Sequence, residues 1–257
     1  PWPAVACTLG PAALAAAVIG QNVLDDRYIR YFDERFEFRR DTDALNRTLA
    51  GFYTLEFDLA APAAGGVADP DYLAAVDRFA TWLRAQPEVV HVASHADRIK
   101  MIHRALMDGD PKAHRIPEDP AANAQLLALY EMRLPHGLDL REQLTADRSA
   151  SRLTAALRDV STGETLDLAT RAEAWIETSA PLLRQSAAAT GTTLMFAHIG
   201  MRNIENMVAG TALAFLAIAL LLFAVFRRVG TTVVAMIANL TPALAALGGW
   251  GLVVGEL

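Results

Sequence analysis

Two uncharged apolar runs near the end of the chain limit what it can be. Met207 to Phe226 reads MVAGTALAFLAIALLLFAVF, and Val229 to Gly255 reads VGTTVVAMIANLTPALAALGGWGLVVG; only Arg227 and Arg228 stand between them. The hydrocarbon core of a bilayer is about 30 Å thick, and at about 1.5 Å of rise per residue a helix needs about 20 apolar residues to cross it. Both runs reach that length. The rival reading, a buried hairpin in a large soluble core, asks for helices that stay uncharged far longer than soluble ones do. The pair therefore reads as a transmembrane helical hairpin over 203–257. Arginines in a very short connection mark the cytoplasmic side, which puts the turn at 227–228 in the cytoplasm.

Charge along the rest of the chain is segregated. Every charged residue except Arg227, Arg228 and Glu256 lies between Asp25 and Glu205. That stretch is long enough to bury a core of its own. It reads as a domain over 25–202, and it must be extracytoplasmic if the turn at 227–228 is cytoplasmic. The net charge of the whole chain is -6, which argues against nucleic acid as a partner. The single cysteine, Cys7, excludes an internal disulfide and a thiolate metal site. Pro1 to Val23 carries no charge. It reads as a partial transmembrane helix over 1–24. The alternative, a cleaved signal peptide, lacks a basic stretch ahead of the apolar one. The chain is expected to be a piece of a longer membrane protein.

Within the polar stretch, Asp25 to Thr48 is dense in charges and aromatics and reads as a solvated linker and helix leading out of the membrane, with a ligand-contacting or coupling segment as the rival; Asp41 or Thr42 is placed to cap a helix through Leu49. Tyr53, Leu55, Phe57 and Leu59 alternate with polar residues, a half-buried strand. Asp69-Pro70 is a helix start. Leu73, Val76, Ala80 and Leu83 follow at helical spacing, and EVVHVAS from Glu88 to Ser94 reads as a second strand. A helical insertion follows, with helices predicted over 97–107 and from Asp119 or Pro120. Ser151 to Arg158 alternates again. Thr162-Gly163 is expected to turn the chain before a helix carrying Leu168, Ala172, Trp175 and Ile176. Thr192 to Ala197, TTLMFA, reads as a fourth strand. The fold class is thus α+β: two βαβ halves forming a ferredoxin-like split-βαβ domain with a helical insertion, flanked by transmembrane helices.

No stretch argues for catalysis, and the chain is not expected to be an enzyme. His91 and His95 have metal-ligand spacing for a helix, but His91 sits in an apparent strand, where such positions are about 13 Å apart. No HExxH, GxSxG or phosphate-loop pattern occurs. No cofactor is expected. Tyr53, Phe57, Trp82 and Trp175 read as core. In the second apolar run Asn239 and Thr241 precede Pro242. A polar side chain there needs a partner, and proline frees a backbone carbonyl. The three are candidate pathway-lining or kink residues; local hydrogen bonding within a packed helix is the equal alternative.

Several stretches together resemble the resistance–nodulation–division superfamily, and within it exporters with mycobacterial-membrane-protein-large type domains. They are FDERFEFRRDTDALNRTLAGFYTLEFDL from Phe32 to Leu59, QPEVVHV from Gln86 to Val92, LLALYEMRLPHGLDL from Leu126 to Leu140, TGTTLMFAHIGMRNIENM from Thr190 to Met207, and IANLTPALAALGGWGLVVGE from Ile237 to Glu256. The resemblance implies a porter domain over 25–202 in a piece of the second half of a multi-pass transporter of the bacterial inner membrane. It implies export of hydrophobic or lipid-like substrates driven by the proton-motive force. The family's proton-coupling acids belong to a helix beyond Leu257, and Glu256 does not replace them. The partners implied are membrane lipids, the rest of the same transporter chain, a hydrophobic substrate and further copies in a homo-oligomer. A non-transporting membrane sensor or lipid-binding scaffold, similar to sterol-sensing relatives, is the alternative.

Overall fold

A computed structural model describes residue 17 and residues 28–48, 51–135, 140–186 and 188–253. The apolar run 1–24, apart from residue 17, and Glu256 lie outside the described residues, as do Leu49, His136 and Gly137. Contacts divide the chain into two compact units, Tyr28–Ala197 and one that includes His198–Leu257.

The first unit is α+β. Helix α1 (Glu37–Thr48) precedes strand β1 (Tyr53–Ala60), and helix α2 (Pro70–Arg84) leads to strand β2 (Val89–Ala93). Helices α3 (His95–Leu106) and α4 (Pro120–Arg133) form the insertion. Strand β3 (Ala150–Leu157), helix α5 (Thr162–Ser179) and the two-residue strand β4 (Ala189–Thr190) close the unit. The sheet is antiparallel throughout, in the order β2-β3-β1-β4. β1 and β2 are therefore parallel with β3 between them. β3 and β4 are parallel with β1 between them. A strand joined by a helix to a parallel strand needs a crossover, and α2 and α5 supply the two.

Helix starts follow the local chemistry. Asp69 caps α2, its carboxylate accepting from the amides of Asp71 at 2.8 Å and Tyr72 at 3.2 Å, with Pro70 at the first helical position. Ser94 caps α3 and Asp119 caps α4 in the same way. Ser161 and Glu164 form a capping box on α5: the Ser161 hydroxyl accepts from the Glu164 amide and the Glu164 carboxylate accepts from the Ser161 amide. That box corrects the expected turn at Thr162-Gly163, which is the first turn of the helix.

One face of the sheet makes the core. Tyr53, Leu55, Phe57 and Leu59 of β1 and Leu153, Ala155 and Leu157 of β3 are buried against Leu73, Val76, Phe79 and Leu83 of α2 and Leu168, Ala172 and Ile176 of α5. Phe57 meets Phe79 edge-on at 5.0 Å, and the Trp82 and Trp175 rings stack at 5.6 Å, tying α2 to α5 above the strands. Tyr72 reaches down to the sheet, where its hydroxyl donates to the Leu59 carbonyl at 2.6 Å and lies 2.8 Å from the Ser151 hydroxyl. The opposite face is polar. Asp58 lies opposite Arg152 in the ladder, and Arg152 is 3.7 Å from Glu56.

Helix α6 runs unbroken from Thr192 to Phe226, and α7 from Val229 to Val253. Thr192 to Ala197 is thus the start of a helix and not a strand; β4 is only Ala189–Thr190. The apolar run LMFA is too short for its period to decide between strand and helix. Burial decides it. Thr193, Leu194 and Ala197 are buried while Met195 and Phe196 face outward, a helical and not an alternating pattern. A second difference falls in α1, which begins at Glu37, so that Thr42 is mid-helix and its hydroxyl donates to the Phe38 carbonyl at 2.8 Å instead of capping. Both α6 and α7 are long and apolar enough to cross a membrane. Arg227 and Arg228 separate them, Arg227 with φ at 52°.

Candidate functional site

The sequence singles out three residues of α7. Pro242 lies inside the helix, so its missing amide leaves the Ala238 carbonyl without the usual donor. Asn239 donates from Nδ2 to the Ala235 carbonyl at 3.0 Å, and Thr241 donates from Oγ1 to the Ile237 carbonyl at 2.7 Å. Each polar side chain is thus bonded one turn back on its own helix, which removes the cost of an unpartnered group in lipid. At about 100° per residue Asn239 and Pro242 share a side of the helix, while Thr241 points away from Asn239.

In the first unit two clefts flank the segment 140–148, and no motif marked either. Pairing builds them. Strand β2 covers only the far half of β3. The near half is covered by Gln143 to Thr145: the Arg152 amide donates to the Gln143 carbonyl at 2.8 Å, the Thr145 amide to the Ala150 carbonyl at 3.1 Å, and Leu144 bridges Ser151. The cleft on the polar sheet face, about 270 Å3, is lined by Glu56 and Asp58 of β1, Arg152 of β3, and Arg141, Glu142 and Gln143. The Gln143 Oε1 atom is buried without a hydrogen-bond partner.

The second cleft, about 330 Å3, has Leu134, Leu140, Leu144 and Ala146 among its walls, with Glu131 and Arg148 beside them. The guanidinium of Arg148 donates to the Glu131 carboxylate at 2.6 Å. Arg141 and Thr145 complete the walls, so charged and polar side chains share them with the leucines. Nothing in the sequence announces it, because Glu131, Leu140 and Arg148 meet only through the tertiary fold.

His95 is 1% exposed, and neither ring nitrogen has a hydrogen-bond partner. Burial pushes its imidazole down to about 4 and the positive charge of Arg98 pushes the same way; the Val67 backbone opposes them, and Arg148 adds a smaller downward push. Asn123 is also fully buried, donating to the Ala68 and Pro117 carbonyls at 3.0 and 3.1 Å while its Oδ1 stays unpartnered. His91 is exposed on β2, so the two histidines do not converge. Among the described residues no group of three or more His, Cys, Asp or Glu side chains is placed to hold a metal ion. Tyr53 and Phe57 are buried, and Trp82 and Trp175 pack partly buried against the same core.

Comparison with known proteins finds no family model that matches the chain and no curated protein that matches it.

Proposed function

We propose that this chain is part of a proton-motive-force-driven exporter permease of the resistance–nodulation–division type, in a bacterial inner membrane, in which residues 28–197 serve as an extracytoplasmic porter unit for hydrophobic or lipid-like substrates. One observation carries the reading. A β2-β3-β1-β4 antiparallel sheet with two crossover helices, the strand order of a ferredoxin-like split-βαβ layer, runs through α6 into a helix of membrane length. The arginine pair after α6 supports a cytoplasmic turn there, and with it a sheet unit on the outer side. The cleft beside Glu131 and Arg148, whose walls mix leucines with charged and polar side chains, is a place where an amphiphile lodges on its way in this reading. Asn239 and Pro242 border the pathway in this reading. No coupling acid is assigned within the chain.

The test has two arms. Alkaline phosphatase fused near Gly109 should be active and fused after Arg228 inactive; the reverse pattern refutes the sidedness. In cells carrying the full-length protein, efflux of a lipophilic dye such as Nile red should stop when a protonophore collapses the gradient. Efflux that continues unchanged rejects proton coupling. Correct sidedness with no efflux at all favours the sensor or lipid-scaffold alternative.

A further inference from the structure

The segment between the first apolar run and β1 carries a feature that neither the core nor the clefts use. Ile29 is 2% exposed and belongs to the core, and Arg30 donates to Asp159 at 2.9 Å. Those two residues fix the single turn Tyr28–Tyr31 to the sheet unit. Immediately after this anchor the aromatics turn outward. Tyr31 is 69% exposed, Phe32 43%, Phe36 58% and Phe38 49%. The exposed rings are not scattered: Phe32 packs edge-on against Phe36 at 6.2 Å and against Phe38 at 5.2 Å. A contiguous exposed aromatic cluster is an interaction surface until covered.

Helix α1 extends that surface. At about 100° per residue Phe38 and Leu45 fall on one side, and Arg39, Arg40, Asp43 and Arg47 fall on the other. Leu45 is 37% exposed; Thr42, at the edge of the same side, is buried, and Arg39, with only 15% of its side chain exposed, is held by Asp43 at 2.8 Å. An amphipathic helix with phenylalanine and leucine on one face and arginines on the other is the form that lies in the plane of a bilayer surface. Aromatic side chains collect at the level of the lipid headgroups. The chain itself supplies the neighbouring bilayer. The uncharged run 1–24 ends only a few residues before Tyr28, and Arg30 to Arg47 mix acids with arginines, leaving no one-signed patch for an oppositely charged protein to match.

We infer that Tyr31, Phe32, Phe36 and Phe38, continued by the Phe38–Leu45 face of α1, insert into the headgroup–acyl boundary of the membrane as an interfacial anchor for the sheet unit. The inference rests on the membrane reading proposed above. The occupant is lipid, held by apolar insertion and not by headgroup charge.

The full chain with Cys7→Ser, reconstituted in phosphatidylcholine nanodiscs, tests it. A single fluorophore is placed at Phe36→Cys, at Lys112→Cys on an exposed loop of the same unit, or at Leu220→Cys in α6. Lipids carrying a spin-label quencher near the headgroup or deep in the acyl chain then report depth. The label at position 36 should be quenched about two-fold or more beyond that at 112, and most by the shallow quencher, as an interfacial helix requires. The label at 220 should respond most to the deep quencher. Combining Tyr31→Ser, Phe32→Ser and Phe38→Ser should drop quenching at 36 to the level at 112 without changing it at 220. If the label at 36 is quenched no more than that at 112 while 220 is quenched, the anchor is overturned and the membrane reading survives. If 220 is unquenched, both fall.

Discussion

His95 is a neutral imidazole where a charged one has no partner. Its two ring nitrogens make no hydrogen bond of good geometry, and burial and the Arg98 charge outweigh the pull of the Val67 backbone toward the protonated form. The sign of the pH dependence follows. Unfolded, the ring takes up a proton near pH 6.5; folded, it resists until about 4. The unfolded state therefore binds more protons between those values, so this group leaves stability undiminished above about pH 7 and removes it as pH falls from about 6.5 toward about 4, by up to about 3 kcal/mol. Urea midpoints at about pH 7.5 and about pH 4.5 measure this, with His95→Leu as the comparison. The variant should lose little at the higher pH, since no hydrogen bond of good geometry is removed, and should show a smaller drop at the lower one. Equal drops in both proteins would rule out His95 as the source. Tyr72 carries the opposite arrangement, a buried hydroxyl with both partners present. Burial raises its phenol to about 12, so it remains a donor to the Leu59 carbonyl at every physiological pH. Tyr72→Phe takes one donor from that carbonyl and a partner from the Ser151 hydroxyl, a residue 1% exposed. A destabilisation of about 1–3 kcal/mol is expected in the same measurement. A change below a few tenths would mean water replaces the hydroxyl.

Among the elements, those with a local signature could be read from the chain before the fold was known. Asp69-Pro70 starts α2 because a carboxylate cap and a proline need nothing distant. The alternation of Tyr53, Leu55, Phe57 and Leu59 becomes β1 because one side of that strand is buried and the other is not. What could not be read is what depends on remote partners. Thr193 donates its place in a helix to the sheet by accepting the Thr54 amide at 3.0 Å, and no local pattern in TTLMFA foretells that bond. The clefts beside 140–148 fail for the same reason, since Arg148 and Glu131 meet across the fold. The Asn239-x-x-Pro242 element was legible as a polar break in an apolar run; which side of α7 each residue takes follows from the helix. Gly51 is a further tertiary constraint. Its φ is 89°, and a Cβ there would sit 2.0 Å from the Leu157 carbonyl oxygen. Gly51→Ala must therefore displace the end of β3 as well as adopt an unfavourable backbone, and a loss of roughly 2 kcal/mol or more is expected. Ser161→Ala removes only one half of the α5 capping box and should cost about 1 kcal/mol. Urea denaturation of both variants checks the order; a milder effect at Gly51 than at Ser161 would contradict the close approach to β3.

At the scale of the whole molecule, the segregation of charge corresponds to two kinds of burial. Tyr28–Ala197 encloses a core of aliphatic and aromatic side chains under its own sheet. The apolar surface of α6 beyond that unit stays exposed, with Leu213, Leu216, Leu220, Leu221 and Val225 all open, on a helix long and apolar enough to cross a membrane. One helix serves both. Its first two turns bury Thr193, Leu194 and Ala197 in the sheet unit, and the rest carries the membrane-length run. The boundary between the units therefore falls inside a continuous helix, about two turns beyond the point where β4 ends. This makes a truncation experiment decisive. A chain ending after Ala197 keeps Leu194 in the core and the Thr193 hydroxyl on the Thr54 amide. A chain ending after Gly191 loses both, exposing apolar surface and leaving that amide unpartnered, at a cost of roughly 3–5 kcal/mol. Residues 28–197 expressed alone should give a soluble protein with mixed helix and strand circular dichroism and one cooperative urea transition. Residues 28–191 should unfold at clearly lower urea or fail to fold. Equal midpoints for the two pieces would show that the start of α6 contributes nothing to the core, and that the sheet unit ends at β4.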